Sequence, residues 1–421
     1  MMVQWLEWTL MGILWLTIWG RKFVSLRSRS LHVESLRRLR DPTTRSMDRT
    51  RMRRPSHSIA ACYLIGIAFL IAGCGGEDPE RAALAARLDS IVQAHFAAGE
   101  FHGGVLLARG EDIVYRGAFG DADLAAGIPN RPETRYPIHS ITKSFTAIIV
   151  LQLAEEELLT LDGPIERYLP DYQGTASDRI TLHHLLSHTS GVPDYIRAIP
   201  GYFSSEPPNL PRDSVLSLVG SMPLDFEPGE GFGYSNTGYV LLGKMIEEVT
   251  GNSFADALEK RIFGPLGMAD SERMSVAMGQ GIAVQHLDGG VAPVEFVLPG
   301  EGGIISTLDD MRRFAAALGS TELLSADKWE LAFTPHADPA DAIQFHPAQV
   351  SPHGYGFGLS EVSTSSGRIV RVVQHGGQGL GGTAMMQRLI DGDGILLLWN
   401  NIDGLVPFMP DALQVLADSN P

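Results

Sequence analysis

Cysteine is almost missing from this chain: of 421 residues, only Cys62 and Cys74 carry a thiol. Both lie in or beside one apolar run. Residues 75–421 therefore form no disulfide, hold no thiolate metal site and contain no cysteine nucleophile. Cationic charge is also scarce there. Of 33 Lys/Arg and 49 Asp/Glu, residues 1–57 hold 12 and 4, and residues 75–421 hold the remaining 21 and 45. Phosphate binding needs a cationic surface, so an acidic body argues against nucleic acid as a partner. Internal repeats and long low-complexity segments are absent from the body as well. What is present is core-forming material: 44% of residues are hydrophobic and 19% charged, over a length that suits one large domain or two small ones.

Residues 58–74 carry no charge and follow the basic stretch Arg51-Met-Arg-Arg-Pro-Ser-His57. A basic region, an apolar region and a small-residue end form an export signal. The run is short for a spanning helix, which needs about 20 residues. Ile71-Ala72-Gly73-Cys74 resembles a bacterial lipoprotein signal, which implies cleavage before Cys74 and lipidation of that residue. The expected location is the extracytoplasmic face of a bacterial cell envelope, with acyl chains holding the body to a membrane. An ordinary signal peptide or a short anchor are the alternatives. Residues 1–46 fit poorly, with a Trp-rich apolar stretch from Trp5 to Trp19 and then a basic tract. We expect translation to start at Met47 or Met52; a genuine extra transmembrane segment is the other reading. The expected division is 1–51 as a mis-called start or an extra N-terminal segment, 52–74 as the signal, 75–84 as a linker and 85–421 as the globular domain.

Pro79 to Phe96 has helical spacing, with Leu84, Leu88, Val92 and Phe96 on one side. Val105–Arg109 and Ile113–Ala118 are short apolar runs joined at Gly110-Glu111-Asp112, which predicts a β-hairpin. Phe145–Leu158 and Tyr239–Val249 read as helices. Strand-like runs return only at Ile369–Val373, Ala384–Leu389 and Ile395–Trp399, and Pro407–Ala417 reads as a closing helix. Strands need partners, so the two ends are expected to meet in one sheet. The helical middle becomes an inserted lobe, with a cleft between lobes as the place for a small-molecule site.

Three short patterns carry chemistry. In Ser140-Ile-Thr-Lys143, the serine precedes an apolar helix, and positions i and i+3 lie about 5–6 Å apart on one face. A serine hydroxyl needs a base to become a nucleophile, and a buried neutral lysine can serve. The helix N-terminus favours developing negative charge. Tyr234-Ser-Asn236 stands in a Gly-rich loop: a tyrosine can shuttle a proton, and an asparagine can orient a substrate amide. His375-Gly376-Gly377 follows a strand-like run, where glycine lets a backbone approach a ligand and a nearby N–H can help form an oxyanion hole. Each pattern has a bland reading: a helix N-cap, a loop tyrosine with a capping asparagine, a tight turn. Ser325-Ala-Asp-Lys328 and His102-Gly-Gly104 repeat two of them.

Taken together and in this order, the three patterns resemble the serine β-lactamase and penicillin-binding-protein family. The likeness is to class C β-lactamases, D-alanyl-D-alanine carboxypeptidases and β-lactamase-like esterases. Leu161–Pro170, Ile180–Gly191, Phe226–Gly229 and Gly302–Thr307 are similar to the family's connecting segments, so the resemblance covers about residues 85–405. It implies an α+β fold of the β-lactamase/transpeptidase type, an antiparallel sheet flanked by helices with a mainly helical inserted lobe. It implies acylation of Ser140 by a small ester, amide or peptide, with Lys143 and Tyr234 sharing the proton work. Asn236 and the His375–Gln378 stretch would bind substrate, with the N–H of Ser140 and one near Gln378 at the oxyanion. No cofactor and no metal is expected. Esterase, D-amino-acid peptidase or carboxypeptidase, and weak β-lactamase are the activities implied. A catalytically inactive module binding cell-wall or peptide fragments is the alternative.

One departure matters. Where the family commonly has Lys-Thr/Ser-Gly, this chain has His375-Gly376-Gly377, without the cation and hydroxyl that typically bind a substrate carboxylate. That shifts the expectation toward an esterase or an unusual peptidase or amidase. Two other patterns are set aside. His184 and His188 have the spacing of a metal pair but lack the glutamate between them. Gly233-Tyr-Ser235-Asn-Thr237 nearly matches the nucleophile elbow of α/β-hydrolases, but Thr237 replaces the last glycine.

Overall fold

The computed structural model describes residues 78–202, 209–274, 281–293, 297–338, 340 and 351–419. All of them fall in one compact unit, Cys74–Pro421. The export signal, Cys74 and the residues before them lie outside the described residues.

The main elements in chain order are α1 (Pro79–Ala97), β1 (Gly103–Arg109), β2 (Asp112–Phe119), α2 (Thr142–Glu155), α3 (Leu182–Leu186), α4 (Asn236–Thr250), α5 (Leu308–Ala317), β3 (Gly358–Ser363), β4 (Ile369–Gly379), β5 (Gly382–Leu389), β6 (Gly394–Asn400) and α6 (Met409–Asp418). One antiparallel sheet takes the order β3-β4-β5-β6-β1-β2. The ends of the chain meet as expected: Val105 pairs with Leu398 and Leu107 with Leu396 across β1 and β6. The described part of the expected linker is not extended. Residues 79–84 are already helical, because Asp78 caps the helix and Pro79 starts it.

Alternate residues of a strand face opposite sides, and both faces of this sheet are covered. Leu106, Ala108, Leu397 and Trp399 join the larger core with α2 and α5. Val105, Leu107, Leu396 and Leu398 join a second core with Leu84, Leu88 and Val92 of α1 and with α6. This explains why β1 and β6 read as continuous apolar runs. Helix α2 is buried from Thr142 to Leu151 and shows no polar stripe, as a helix enclosed on all sides should.

Three readings need correction. The strand read at 369–373 continues to Gly379, so the His375 pattern lies on β4 itself. The Gly-rich tail has little strand propensity of its own, and pairing with β5 sets its conformation. Strand β3 left too little alternation to be seen. The middle of the chain also holds short strands, of which Ile304–Ser306 pairs with Tyr136–Pro137 and Glu272–Arg273.

Candidate active site

Ser140 sits in a single 3-10 turn, His139–Ile141, that feeds directly into α2. It does not cap either helix. The N-cap positions are Ile138 and Ile141, and neither makes a side-chain cap bond. His139 holds φ +49, the left-handed region that side chains other than glycine rarely adopt. Such backbone strain persists where surrounding structure enforces it, and it often marks functional sites. Enforcement here comes from β4: a Cβ on Gly377 would stand 2.3 Å from the Ile138 carbonyl oxygen, so only glycine lets the strand lie this close.

One turn along, Lys143 projects back to the serine. Its Nζ is 3.1 Å from Ser140 Oγ, 2.7 Å from Asn236 Oδ1 and 2.8 Å from the Glu301 carbonyl oxygen. The lysine is wholly buried. Asn236 is the first residue of α4, whose N-cap is Ser235, so the asparagine is free of capping duty. Its amide is oriented from behind: Nδ2 donates to Asp194 Oδ2 at 3.1 Å, which leaves Oδ1 to face Lys143. Tyr234 presents its ring face to the lysine, with Nζ 5.1 Å from the ring centroid. The same ring stacks with His188, centroids 4.3 Å apart. His188 also accepts from the Ser235 N–H through Nδ1 at 3.2 Å, and its carbonyl accepts from the Gly233 N–H at 2.9 Å. The histidine therefore pins both sides of Tyr234.

The third pattern lines the same face. Strand β3 pairs with β4 only as far as Gln374, so His375 to Gly379 keep an edge not covered by β3, and the turn carrying Ser140 lies there. A strand edge directs alternate N–H groups outward, the geometry an oxyanion hole requires. His375 is buried; Nδ1 donates to the Gly376 carbonyl at 2.7 Å. Burial first, and the Lys143 charge second, hold its pKa down to about 3. His375 is therefore neutral at physiological pH and does not replace the family's cation. Gly376 turns the other way: a Cβ there would meet Met385 on the opposite face of the sheet, so only its backbone can serve the site.

The beta-lactamase family profile matches residues 88–416. The chain is 32% identical over 324 residues to a penicillin-binding protein of Bacillus subtilis (strain 168), covering 72% of this chain and 68% of that one. It is 35% identical over 228 residues to esterase EstB of Burkholderia gladioli, covering 51% of this chain and 58% of the esterase. The solved D-amino acid amidase of Ochrobactrum anthropi SV3 superposes with a TM-score of 0.66 at 26% identity, over 80% of this chain and 98% of the amidase. The chain belongs to the beta-lactamase family. It is a serine hydrolase-type member with the β-lactamase/transpeptidase fold.

Within this beta-lactamase fold, the residues set aside by sequence have other occupations. Ser325 stands at the N-cap of Ala326–Ala332, but its hydroxyl donates to Glu155 instead of capping. His102 Nδ1 accepts from the Asp121 N–H at 3.2 Å. His184 forms a capping box with Thr181. Ser235 caps α4 by accepting from the Gly238 N–H at 3.3 Å. Two neighbours of the site, Asp194 and Glu301, escaped sequence reading, and His188 showed only the spacing of a metal pair. Glu301 was the most detectable, as an acidic residue set among glycines and apolar residues in Pro299–Ser306.

Proposed function

We propose that this chain hydrolyses esters or amides through an acyl-enzyme on Ser140, and that Lys143 takes the serine proton. The observation that carries this is the placement of Lys143, a buried amine whose Nζ lies 3.1 Å from Ser140 Oγ and is held by Asn236 Oδ1 and the Glu301 carbonyl. A neutral amine has two N–H groups and one lone pair. Asn236 Oδ1 and the Glu301 carbonyl can only accept, so they take both N–H groups. As an ammonium Lys143 donates to all three acceptors, Ser140 Oγ at 3.1 Å included; once it gives up a proton with Asn236 and Glu301 still bound, its lone pair is left for the serine. In acylation, Oγ attacks the acyl carbon as its proton passes to Nζ. The bond to the leaving oxygen or nitrogen breaks, and that atom leaves with a proton delivered through Lys143 or Tyr234. Water then attacks the serine ester, the acid departs and Ser140 recovers its O–H.

The substrate class follows from charge. A neutral His375 offers no ion pair to a carboxylate at the third pattern. This supports esters, and amides such as those of D-amino acids, over β-lactams and peptides ending in free D-alanine. The names of the esterase and amidase relatives agree with that choice. We also propose that Cys74 carries a lipid that anchors the body outside the cytoplasm; the signal-like run before it is the support. Replacing Cys74 by Ser should move the protein from the membrane to the soluble fraction, and unchanged membrane fractionation would count against lipidation.

The test is a fluorophosphonate probe on the full-length protein, read by intact mass and peptide mapping. One adduct, on Ser140, lost in Ser140→Ala, is the expected result, with Ser325→Ala and His102→Ala turning over short-chain nitrophenyl esters near normally. A folded protein that takes no adduct would instead be the non-catalytic binding module.

A further inference from the structure

Glu301 is a buried carboxylate that the hydrolytic scheme leaves without a task. Only 5% of its surface is exposed. Its Oε2 stands 3.6 Å from Lys143 Nζ, and its own main-chain carbonyl accepts from the same nitrogen at 2.8 Å. Oε1 accepts from the Tyr195 O–H at 2.8 Å and from the Leu298 N–H at 3.3 Å. The segment that carries it is clamped to α2 and α4. Gly300 holds φ +99, where a Cβ would lie 2.2 Å from the Tyr239 carbonyl oxygen. A Cβ on Gly243 of α4 would lie 2.6 Å from the Pro299 carbonyl oxygen. Thr146 Oγ1 donates to the Gly300 carbonyl at 2.7 Å.

A buried carboxylate is costly unless it is paired and hydrogen-bonded. When Lys143 accepts the serine proton, a cation forms where no part of the side chain is exposed. Asn236 Oδ1 and the Glu301 carbonyl share its hydrogen bonds but carry no net charge. The Glu301 carboxylate does. We propose that Glu301 is a positioning residue for the base: its carbonyl aims Lys143 at Ser140, and its carboxylate balances the ammonium formed during acylation. This rests on the Ser140–Lys143 reading above. The proton moves from Ser140 to Nζ and on to the leaving group.

Several other groups bear on this nitrogen and on its partner. The rings of Tyr234 and Tyr239 lie 5.1 and 5.7 Å from Nζ. Asp194 stands behind Asn236, and His375 feels the lysine charge from β4. Arg273 feels the charge of Glu301. All are unchanged in Glu301→Gln, which keeps the size and an acceptor for Tyr195 but removes the charge.

The experiment measures fluorophosphonate labelling of Ser140 against pH, on the full chain and on Glu301→Gln. Removing an opposite charge at this range makes the amine easier to deprotonate. The rising limb of the pH–rate profile should move to lower pH by about one to three units. A weaker base should also lower the plateau rate, by about tenfold. A variant labelled at the wild-type rate with an unmoved limb overturns the proposal. So does slower labelling with an unmoved limb, which is what a purely structural role gives. Should Glu301→Gln fail to fold, Glu301→Asp keeps the charge but withdraws it by one methylene. Its limb must still move down, and an unmoved limb overturns the proposal. A wild-type protein that takes no adduct overturns this inference together with the acyl-enzyme reading; a labelled wild type with an indifferent Glu301 overturns this inference alone.

Discussion

At the scale of single residues, the site is a chain of hydrogen bonds in which each member fixes the orientation of the next. Asp194 is the last of these. It is almost fully buried, and burial raises its carboxyl pKa to about 6, against the pull of the Ile196 N–H, of the Arg197 and Lys143 charges, and of the Asn236 amide. One carboxylate oxygen accepts from the Ile196 N–H at 3.2 Å and the other from Asn236 at 3.1 Å. An asparagine at 194 has only one oxygen, so one of those N–H donors must lose its acceptor. Asp194→Asn should cost about 1–3 kcal/mol, seen as a lower kcat/KM toward nitrophenyl esters where Asn236 turns, or as a lower Tm where Ile196 is abandoned. Wild-type kcat/KM together with wild-type Tm would show that Asp194 does not set the Asn236 orientation. Sequence showed Asn236 as a candidate because Tyr-x-Asn occurs once. It could not show Asp194 as its partner, because 42 positions separate them and only the fold joins them.

At the scale of elements, the fit between β4 and the turn at Ser140 sets how closely the strand approaches the serine. Gly377 is the contact point, and its hypothetical Cβ meets backbone, which cannot yield cheaply. Gly376 meets only the flexible end of Met385, at 3.3 Å. Gly377→Ala should therefore lose most labelling of Ser140 by pushing β4 off the turn, while Gly376→Ala loses less. Equal labelling rates for the two would dismiss the contact as a determinant. The strand itself was legible only in part. Ile369–Val373 shows the alternation of a strand; His375 to Gly379 does not, and takes its form from pairing with residues 382–386.

At the scale of the whole molecule, the fold buries histidines in neutral form. Burial lowers His139 and His353 to about 4 and His375 to about 3, from an ordinary 6.5. The unfolded chain takes up these protons first as pH falls. Stability is therefore complete above pH 6.5 and declines on acidification toward about 4, and toward 3 for His375. Each such histidine contributes a loss of about 1.4 kcal/mol per pH unit in that window. Asp194 works the other way. Its folded pKa is above the unfolded value of 3.8, so the native state gains a proton as pH falls through about 6. Three histidines against one aspartate leave a net loss. Thermal denaturation should give a flat Tm from pH 8 to 7 and a steep fall between 6.5 and 4. A Tm held flat down to pH 4.5 would show that these rings are not buried neutral.

By itself the sequence determined the strand-poor middle between two strand-rich ends, the helix behind Ser140 and the order of three motifs. Each of these is written in local spacing or in composition, which physics reads over a few residues. The tertiary structure alone decided which serine lies against a buried lysine, since Ser140 and Ser325 share one spacing and differ only in what surrounds them. It also decided that His375 is neutral and that Glu301 stands beside Lys143. Burial and charge proximity depend on segments brought together from across the chain, and no local pattern encodes them.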